Sequence, residues 1–251
     1  MTTLRRHALL IGCDHADWPG HELPGSRVDL ENLCWYLQQS LGGAWRDDEI
    51  SVLFNPDASE VLGQLGFIVE AYDALDYLLV YYTGHGSLDD AGRTLLRLGP
   101  LPEQRLSVEQ LVCPVSRQLT LMDCCRNLCV MVAAPFSVTD DVFGGVQPVI
   151  GDPGTCRDAF DAALAASPTG ACVAWACAPA EISASDPRLG GRFTYGLVLS
   201  ALARLEATPP PCVVTFPEVF AVARDWVLED SSGLQNPEIN NPVPWPLAVR
   251  T

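Results

Sequence analysis

The chain has 251 residues, 48% of them hydrophobic, enough to bury a sizeable core within one domain. Its formal net charge is −16 and all 15 basic residues are Arg, which argues against a phosphate-binding surface and so against nucleic acid as a partner. With no Lys in the sequence, Schiff-base and P-loop lysine chemistry are excluded.

At the N-terminus Arg5 and Arg6 precede an apolar stretch, but the run from Ala8 to Cys13 is broken by Asp14 and is too short for a signal-peptide core. No apolar run approaches the roughly 18 residues of a membrane span, so a soluble, cytoplasmic protein with no membrane partner is predicted. Residues 6–12 predict an opening strand, followed by a loop rich in Gly, Pro, His and Asp up to Gly25. Ser26 is the candidate N-cap of a helix whose Val28, Leu30, Leu33, Cys34, Leu37 and Leu41 fall near 3.6-residue spacing. Residues 50–54 read as a second strand. Asn55-Pro56-Asp57 then caps a second helix, with Val61, Leu62, Leu65, Ile68, Val69 and Tyr72 at helical spacing.

The third predicted strand is the most informative. Tyr77-Leu78-Leu79-Val80-Tyr81-Tyr82 lacks polar alternation and is too short for a buried helix, so it predicts a strand covered on both faces, as in a parallel sheet. It runs into Thr83-Gly84-His85-Gly86, a turn at the carboxyl end of a strand, where open α/β sheets place their ligands. Residues 87–102 read as loop with an apolar patch at Leu95-Leu96, and 107–112 as a short helix opened by Ser107. A fourth strand, Gln118-Leu119-Thr120-Leu121-Met122, ends in Asp123-Cys124-Cys125.

From 127 to 153 the pattern lapses into Pro, Gly and acidic residues, predicting an exposed, mobile linker loop. A helix at 156–166 with Phe160, Ala163 and Leu164 inward, a strand at 171–178 and a helix at 193–205 follow. After the break at Thr208-Pro209-Pro210-Pro211 come a helix at 216–228 and a Pro-rich tail at 236–245. Strands alternating with helices predict an α/β fold, a mostly parallel sheet with helices on both faces, in one domain over 1–251.

Several of the ten Cys lie in predicted strands (Cys13, Cys124, Cys172, Cys177), the pattern of buried thiols rather than of a disulfide framework. Only Cys125-x-x-x-Cys129 approaches metal-ligand spacing, without a partner pair, so no metal site and no resident cofactor are expected.

A thiol becomes a nucleophile as thiolate, and a nearby imidazole accepts and returns its proton during acyl transfer. His85 and Cys125, each at a strand end, fit those roles. The amides of Gly86 and Cys125 are placed to meet a developing oxyanion. Taken singly, His85 reads equally as a structural histidine and Cys125 as a packed thiol. Cys124 points to the opposite face of the strand and reads as a core thiol.

Tyr82-Thr83-Gly84-His85-Gly86 with Leu121-Met122-Asp123-Cys124-Cys125 resembles the paired signature of the caspase-like cysteine peptidases, and most of all their metacaspase and bacterial caspase-homologue branch. Ala8-Leu9-Leu10-Ile11-Gly12, Leu23-Pro24-Gly25 and Val28-Asp29-Leu30-Glu31-Asn32-Leu33 are similar to that family's first strand and helix; Gly191-Arg192-Phe193-Thr194-Tyr195 and Gln235-Asn236-Pro237 are similar to its later landmarks. The resemblance implies a caspase-like three-layer sandwich in which Cys125 is the nucleophile, His85 the general base and acid, and Gly86 an oxyanion donor.

It also implies that Asp29, Thr83 and Asp123 surround the pocket for the residue before the scissile bond. Two carboxylates there would favour Arg or Lys over Asp. For Asp29 the alternative is stabilisation of a helix N-terminus; for Asp123, bonding of its strand's terminal amides. The sequence departs from the family where Leu23 occupies the place of the caspases' aspartate-binding Arg, where Arg126-Asn127 follows Cys125, and where Cys177-Ala178-Pro179-Ala180-Glu181 lacks paired aspartates. The expected function is a Cys-His endopeptidase acting on protein substrates, switched on by an upstream protease, a regulator, dimerisation or calcium. By association with similar bacterial enzymes, the resemblance also implies a role in defence or programmed cell death. The alternative is a catalytically silent caspase-like scaffold. Self-cleavage, if it occurs, is expected after Arg126, Arg157, Arg188 or Arg192.

Overall fold

Strand β1 (Arg6–Gly12) is buried along its whole length and opens a computed structural model that describes residues 4–71, 75–100, 103–127 and 151–251. Residues 128–150 of the predicted linker loop, and Tyr72 of the second predicted helix, lie outside the described residues. Helix α1 (Gly25–Gln38) follows, with Pro24 at the N-cap rather than Ser26, which is buried inside the first turn. Its first residue, Gly25, lies against Ser185 and Asp186, where a Cβ would collide with both. Asp29 is therefore more than a turn into the helix, not in its first turn. Strand β2 (Ile50–Phe54) leads to helix α2 (Ala58–Ala71). As predicted, Asp57 caps it, accepting from the Glu60 amide at 2.9 Å. Val61, Leu65 and Ile68 face inward, whereas Leu62 is exposed.

Strand β3 (Tyr77–Thr83) is buried throughout. The expected loop after it is instead a three-stranded antiparallel sheet of β4 (Gly86–Leu88), β5 (Thr94–Arg97) and β6 (Arg105–Ser107). Each strand is three or four residues long, too short for period-two alternation to register, and pairing supplied what propensity did not. A 3-10 turn at Val108–Leu111, opened by Ser107, precedes β7 (Arg117–Asp123), which stops short of the cysteines.

Helix α3 (Pro153–Ala166), strand β8 (Gly170–Trp175) and a two-residue hairpin of β9 (Ser185–Asp186) and β10 (Gly190–Gly191) follow. Helix α4 (Arg192–Ala207), strand β11 (Cys212–Thr215) and helix α5 (Phe216–Asp230) come next. The Pro-rich tail is not a tail. It contains strand β12 (Glu238–Asn240), and buried Trp245 donates to the Pro168 carbonyl at 2.9 Å before β13 (Pro246–Arg250) pairs with β11.

The main sheet has the order β12-β8-β7-β3-β1-β2, parallel except for β12. Alternate residues of β3 divide between its faces. Tyr77, Leu79 and Tyr81 pack into a core with Leu33, Phe160, Phe193 and Phe220, from helices α1, α3, α4 and α5. Leu78, Val80 and Tyr82 pack into a second core with Val61 and Leu65 of α2 and with Leu96 and Leu106 of the small sheet. At about 1.5–3 kcal/mol for each buried large apolar side chain, these two layers fix the level of the strand ends. Among the described residues no helix is long and apolar enough to cross a membrane.

Candidate active site

The three central strands end level with one another: Gly12 pairs with Thr83, and Thr83 with Asp123. Parallel neighbours lie about 4.8 Å apart, so the segments leaving β3 and β7 emerge side by side. The Gly84 amide donates to the Asp123 carbonyl at 3.3 Å. A Cβ on Gly86 would sit 2.5 Å from the Cys125 carbonyl oxygen and 2.8 Å from the Cys124 sulfur. Only glycine permits that approach, and it lays the backbone of the His85 turn directly on that of the Cys125 turn.

The His85 ring is held on several sides. Its Nε2 lies 2.7 Å from the His21 carbonyl oxygen. A carbonyl can only accept, so Nε2 carries the hydrogen and Nδ1 of the neutral ring keeps the lone pair. His15 lies against the ring at a centroid distance of 4.8 Å and a tilt of 34°, and Trp18 meets it edge-on at 5.3 Å. The Arg97 guanidinium stacks 3.7 Å above Trp18. The Tyr82 hydroxyl reaches the carbonyls of His85 at 2.7 Å and Arg97 at 2.6 Å, fixing the main chain beneath. Burial lowers the pKa of His85 from its ordinary value; the His21 carbonyl opposes that shift and the positive charge of Arg97 reinforces it.

Cys125 is fully buried. Its Sγ accepts from the Ser183 amide at 3.2 Å and lies 3.7 Å from the Ser183 carbonyl. The Ser183 hydroxyl donates to Asp123 Oδ1 at 2.7 Å and accepts from Gln235 Nε2 at 3.2 Å, tying this cover to the end of β7 and to the segment after α5. Burial pushes the Cys125 thiol up to about 12, only partly offset by the Ser183 amide. No hydrogen bond joins His85 to Cys125 among the described residues. Burial therefore favours the uncharged form of both side chains.

Asp29, Thr83 and Asp123 come together beneath this pair. Thr83 donates to Asp29 Oδ2 at 2.7 Å, and the Gly191 amide to Asp29 Oδ1 at 2.7 Å. Asp123 Oδ2 accepts from the amide and the hydroxyl of Thr194, at 3.0 and 2.7 Å. The Thr194 oxygen in turn accepts from Tyr81 at 2.7 Å. Asp29 thus serves Gly191, the N-cap residue of α4, and not the start of its own helix, and Asp123 takes its donors from Ser183 and α4, not from its own strand. Burial, then the charge of Asp123, raises the Asp29 carboxyl well above its ordinary range; burial also raises Asp123, against the bonds from Ser183 and Thr194. Gly190 and Gly191 lie so close over the two carboxylates that a Cβ on either would collide with them.

Sequence reasoning missed His21, Ser183, His15 and Trp18, and named Gln235 as a landmark without a place in the site. His21 meets His85, and Ser183 meets Cys125, through backbone groups, which leave no side-chain signature. The only available signal for the others was the density of His, Trp and Asp in the loop before Gly25. Chemically, the arrangement offers a thiol, an imidazole whose Nδ1 keeps its lone pair, and two buried carboxyl groups. Among the described residues no group of three or more His, Cys, Asp or Glu side chains is arranged to hold a metal ion.

Comparison with known proteins places these features in a wider set. A model of the Caspase domain family matches residues 5–243. Metacaspase-1A of Aspergillus niger and Metacaspase-1 of Emericella nidulans are each 31% identical over 90 residues, a match covering 34% of this chain. The chain covers only 22% of the length of those relatives. The crystal structure of Caspase-1 from Spodoptera frugiperda superposes with a TM-score of 0.60 at 16% identity, over 96% of this chain and 88% of that one. A protein from Geobacter sulfurreducens gives 0.60 at 14% identity, over 94% and 92%. At such identities the likeness is one of fold, a mostly parallel sheet between helical layers.

Proposed function

The chain belongs to the Caspase domain family, and from that premise we propose that it is a cysteine endopeptidase in which Cys125 is the nucleophile and His85 the general base. One observation carries the assignment: the bond from His85 Nε2 to the His21 carbonyl leaves Nδ1 as a free base on a turn laid against Cys125. As Sγ attacks the scissile carbonyl, the thiol proton passes to Nδ1, and the imidazolium keeps its Nε2–H on His21. The amides of Gly86 and Cys125 receive the oxyanion. His85 then gives its proton to the departing amine, and a water that it deprotonates releases the acyl group from sulfur.

The resting geometry bears on when this happens. Cys125 is covered by Ser183, and burial keeps its thiol protonated, so the cover must lift before a substrate can enter. An upstream protease or regulatory partner that moves the segment around Ser183 would supply that step, consistent with a role in defence or programmed cell death. For specificity, Asp29, Thr83 and Asp123 form an acidic floor for Arg or Lys once the β9–β10 hairpin shifts from above the two carboxylates.

A second reading, a silent scaffold, draws on the same covered thiol. One experiment decides between them. Peptides with Arg before a fluorogenic leaving group should be hydrolysed by the wild-type chain after limited proteolysis or partner addition, and not by Cys125→Ala or His85→Ala. Hydrolysis persisting in purified Cys125→Ala would overturn the nucleophile, and failure of Cys125 to react with an electrophilic Arg peptide under every activating condition would favour the scaffold.

A further inference from the structure

His15 has no place in the dyad chemistry above, yet its ring is the closest aromatic neighbour of His85. Their centroids are 4.8 Å apart with planes tilted by 34°, an inclined contact nearer to stacking than to the edge-on approach of Trp18. The residue is buried, at 7% exposure, and its Nε2 has no hydrogen-bond partner among the described residues. A buried polar ring kept for structure normally spends its nitrogens on hydrogen bonds. What this one offers His85 is its face.

The main chain is bent to deliver it. His15 sits at φ +50°, a left-handed conformation open mainly to Gly, Asn, Asp and His among the residues. The following turn, closed by the Trp18 amide on the His15 carbonyl at 2.9 Å, brings Trp18 edge-on to His85 and stacks it on His21 at 3.9 Å. One loop therefore supplies both the carbonyl that takes Nε2–H and the ring that backs the imidazole.

We propose that His15 is a positioning residue for His85: its ring face holds the imidazole against the His21 carbonyl, keeps Nδ1 directed at the thiol proton, and faces the positive charge that His85 gains on accepting that proton. This rests on the dyad assignment. A π face beside a cation is attractive, provided the ring itself stays neutral. The charged and titratable groups facing His15 are His85 and Arg97, which disfavour its protonation, and Asp14, which favours it; burial outweighs them all and holds its pKa down at about 3. His15 thus adds no second positive charge. It also lines a cavity of about 110 Å3 with Asp14, Asn55 and Arg97.

Two variants separate the ring from the backbone bend. His15→Asn keeps a residue at ease at positive φ but removes the ring; His15→Phe keeps an aromatic face with no nitrogen. In His15→Asn, kcat should fall about tenfold or more with KM little changed, as expected for loss of a contact worth one such factor. Nitrogen-15 NMR of the folded protein should then show His85 averaging between tautomers. His15→Phe should recover to within about threefold of wild type and keep a single Nε2–H tautomer. Unchanged kcat or an unchanged single tautomer in His15→Asn would overturn the proposal, as would a His15→Phe protein impaired as severely as His15→Asn. If the wild-type chain hydrolyses no peptide under any activating condition, the dyad assignment fails on its own, and the tautomer measurement still decides the role of His15.

Discussion

His85 Nε2 lies 2.7 Å from the His21 carbonyl oxygen, and that one bond fixes which nitrogen of His85 can act as a base. A base must be unprotonated, so activity is present above the pKa of His85 and lost as pH falls through it. Burial sets that pKa below the ordinary 6.5. The acid limb of kcat/KM for an Arg peptide should therefore have its midpoint below pH 6.5. A midpoint at or above pH 7 would show that His85 does not govern it.

The buried Cys125 thiol, raised to about 12, should be a poor nucleophile toward small reagents in the resting protein. Its alkylation by iodoacetamide, followed at that site by peptide mass mapping, should rise about tenfold per pH unit from 7 to 10 without a plateau, as a thiolate fraction does below its pKa. A plateau beginning near pH 7 would reveal a preformed thiolate–imidazolium pair instead.

Ser183 ties the cover over Cys125 to Asp123 and Gln235. Ser183→Ala leaves the covering amide in place but strips a donor from a buried carboxylate, at a cost of about 1–3 kcal/mol. The melting temperature should drop by several degrees, at roughly 2–4 °C per kcal/mol for a chain of this size. Alkylation of Cys125 at fixed pH should become faster. An equally stable variant with an unchanged alkylation rate would mean that Ser183 is not what closes the site.

Asp29 has a raised pKa in the fold, caused first by burial and then by Asp123. For a carboxyl raised above its unfolded value of 3.8, the favourable protonated form is lost as pH climbs from there through the folded value, and stability declines. Asp29→Asn should flatten that decline, seen as a smaller fall in melting temperature between pH 4 and pH 7. The same variant should lower the preference for Arg over Gln before the cut roughly hundredfold, the scale of removing one partner from a buried charge pair. Undiminished Arg preference would take Asp29 out of the pocket.

Of the four arginines expected as self-cleavage points, three are largely buried in ion pairs, whereas Arg188 lies only 3.9 Å from Asp186 and stays exposed. Arg126 pairs with Glu238 at 2.7 Å and stacks on Trp175; Arg157 pairs with Glu49; Arg192 pairs with Asp230 at 2.7 Å. Arg188, at the tip between β9 and β10, has a side chain 87% exposed. Active protein should yield a fragment ending at Arg188, visible by intact mass and absent from Cys125→Ala. Fragments ending at Arg157 or Arg192 would mean that cleavage acts on unfolded chain.

By itself the sequence determined what short-range pattern can encode. The apolar runs of β1, β3 and β7 required a doubly covered sheet, Asp57 required a helix start, and the Thr83-Gly84-His85-Gly86 and Asp123-Cys124-Cys125 turns required two strand ends bearing chemistry. Pairing across distance was another matter. Strands β4 to β6, β12 and β13 are too short or too Pro-flanked to show a period, and exist because partner strands complete their hydrogen bonds, neighbouring ones for β4 to β6 and ones far along the chain for β12 and β13. The site divides the same way. His85, Cys125 and the two aspartates carry side-chain chemistry legible in one dimension. The His21 carbonyl, the Ser183 amide and the ring of His15 matter only through where the chain returns, so only the tertiary structure decided which nitrogen of His85 keeps its lone pair and what covers the thiol.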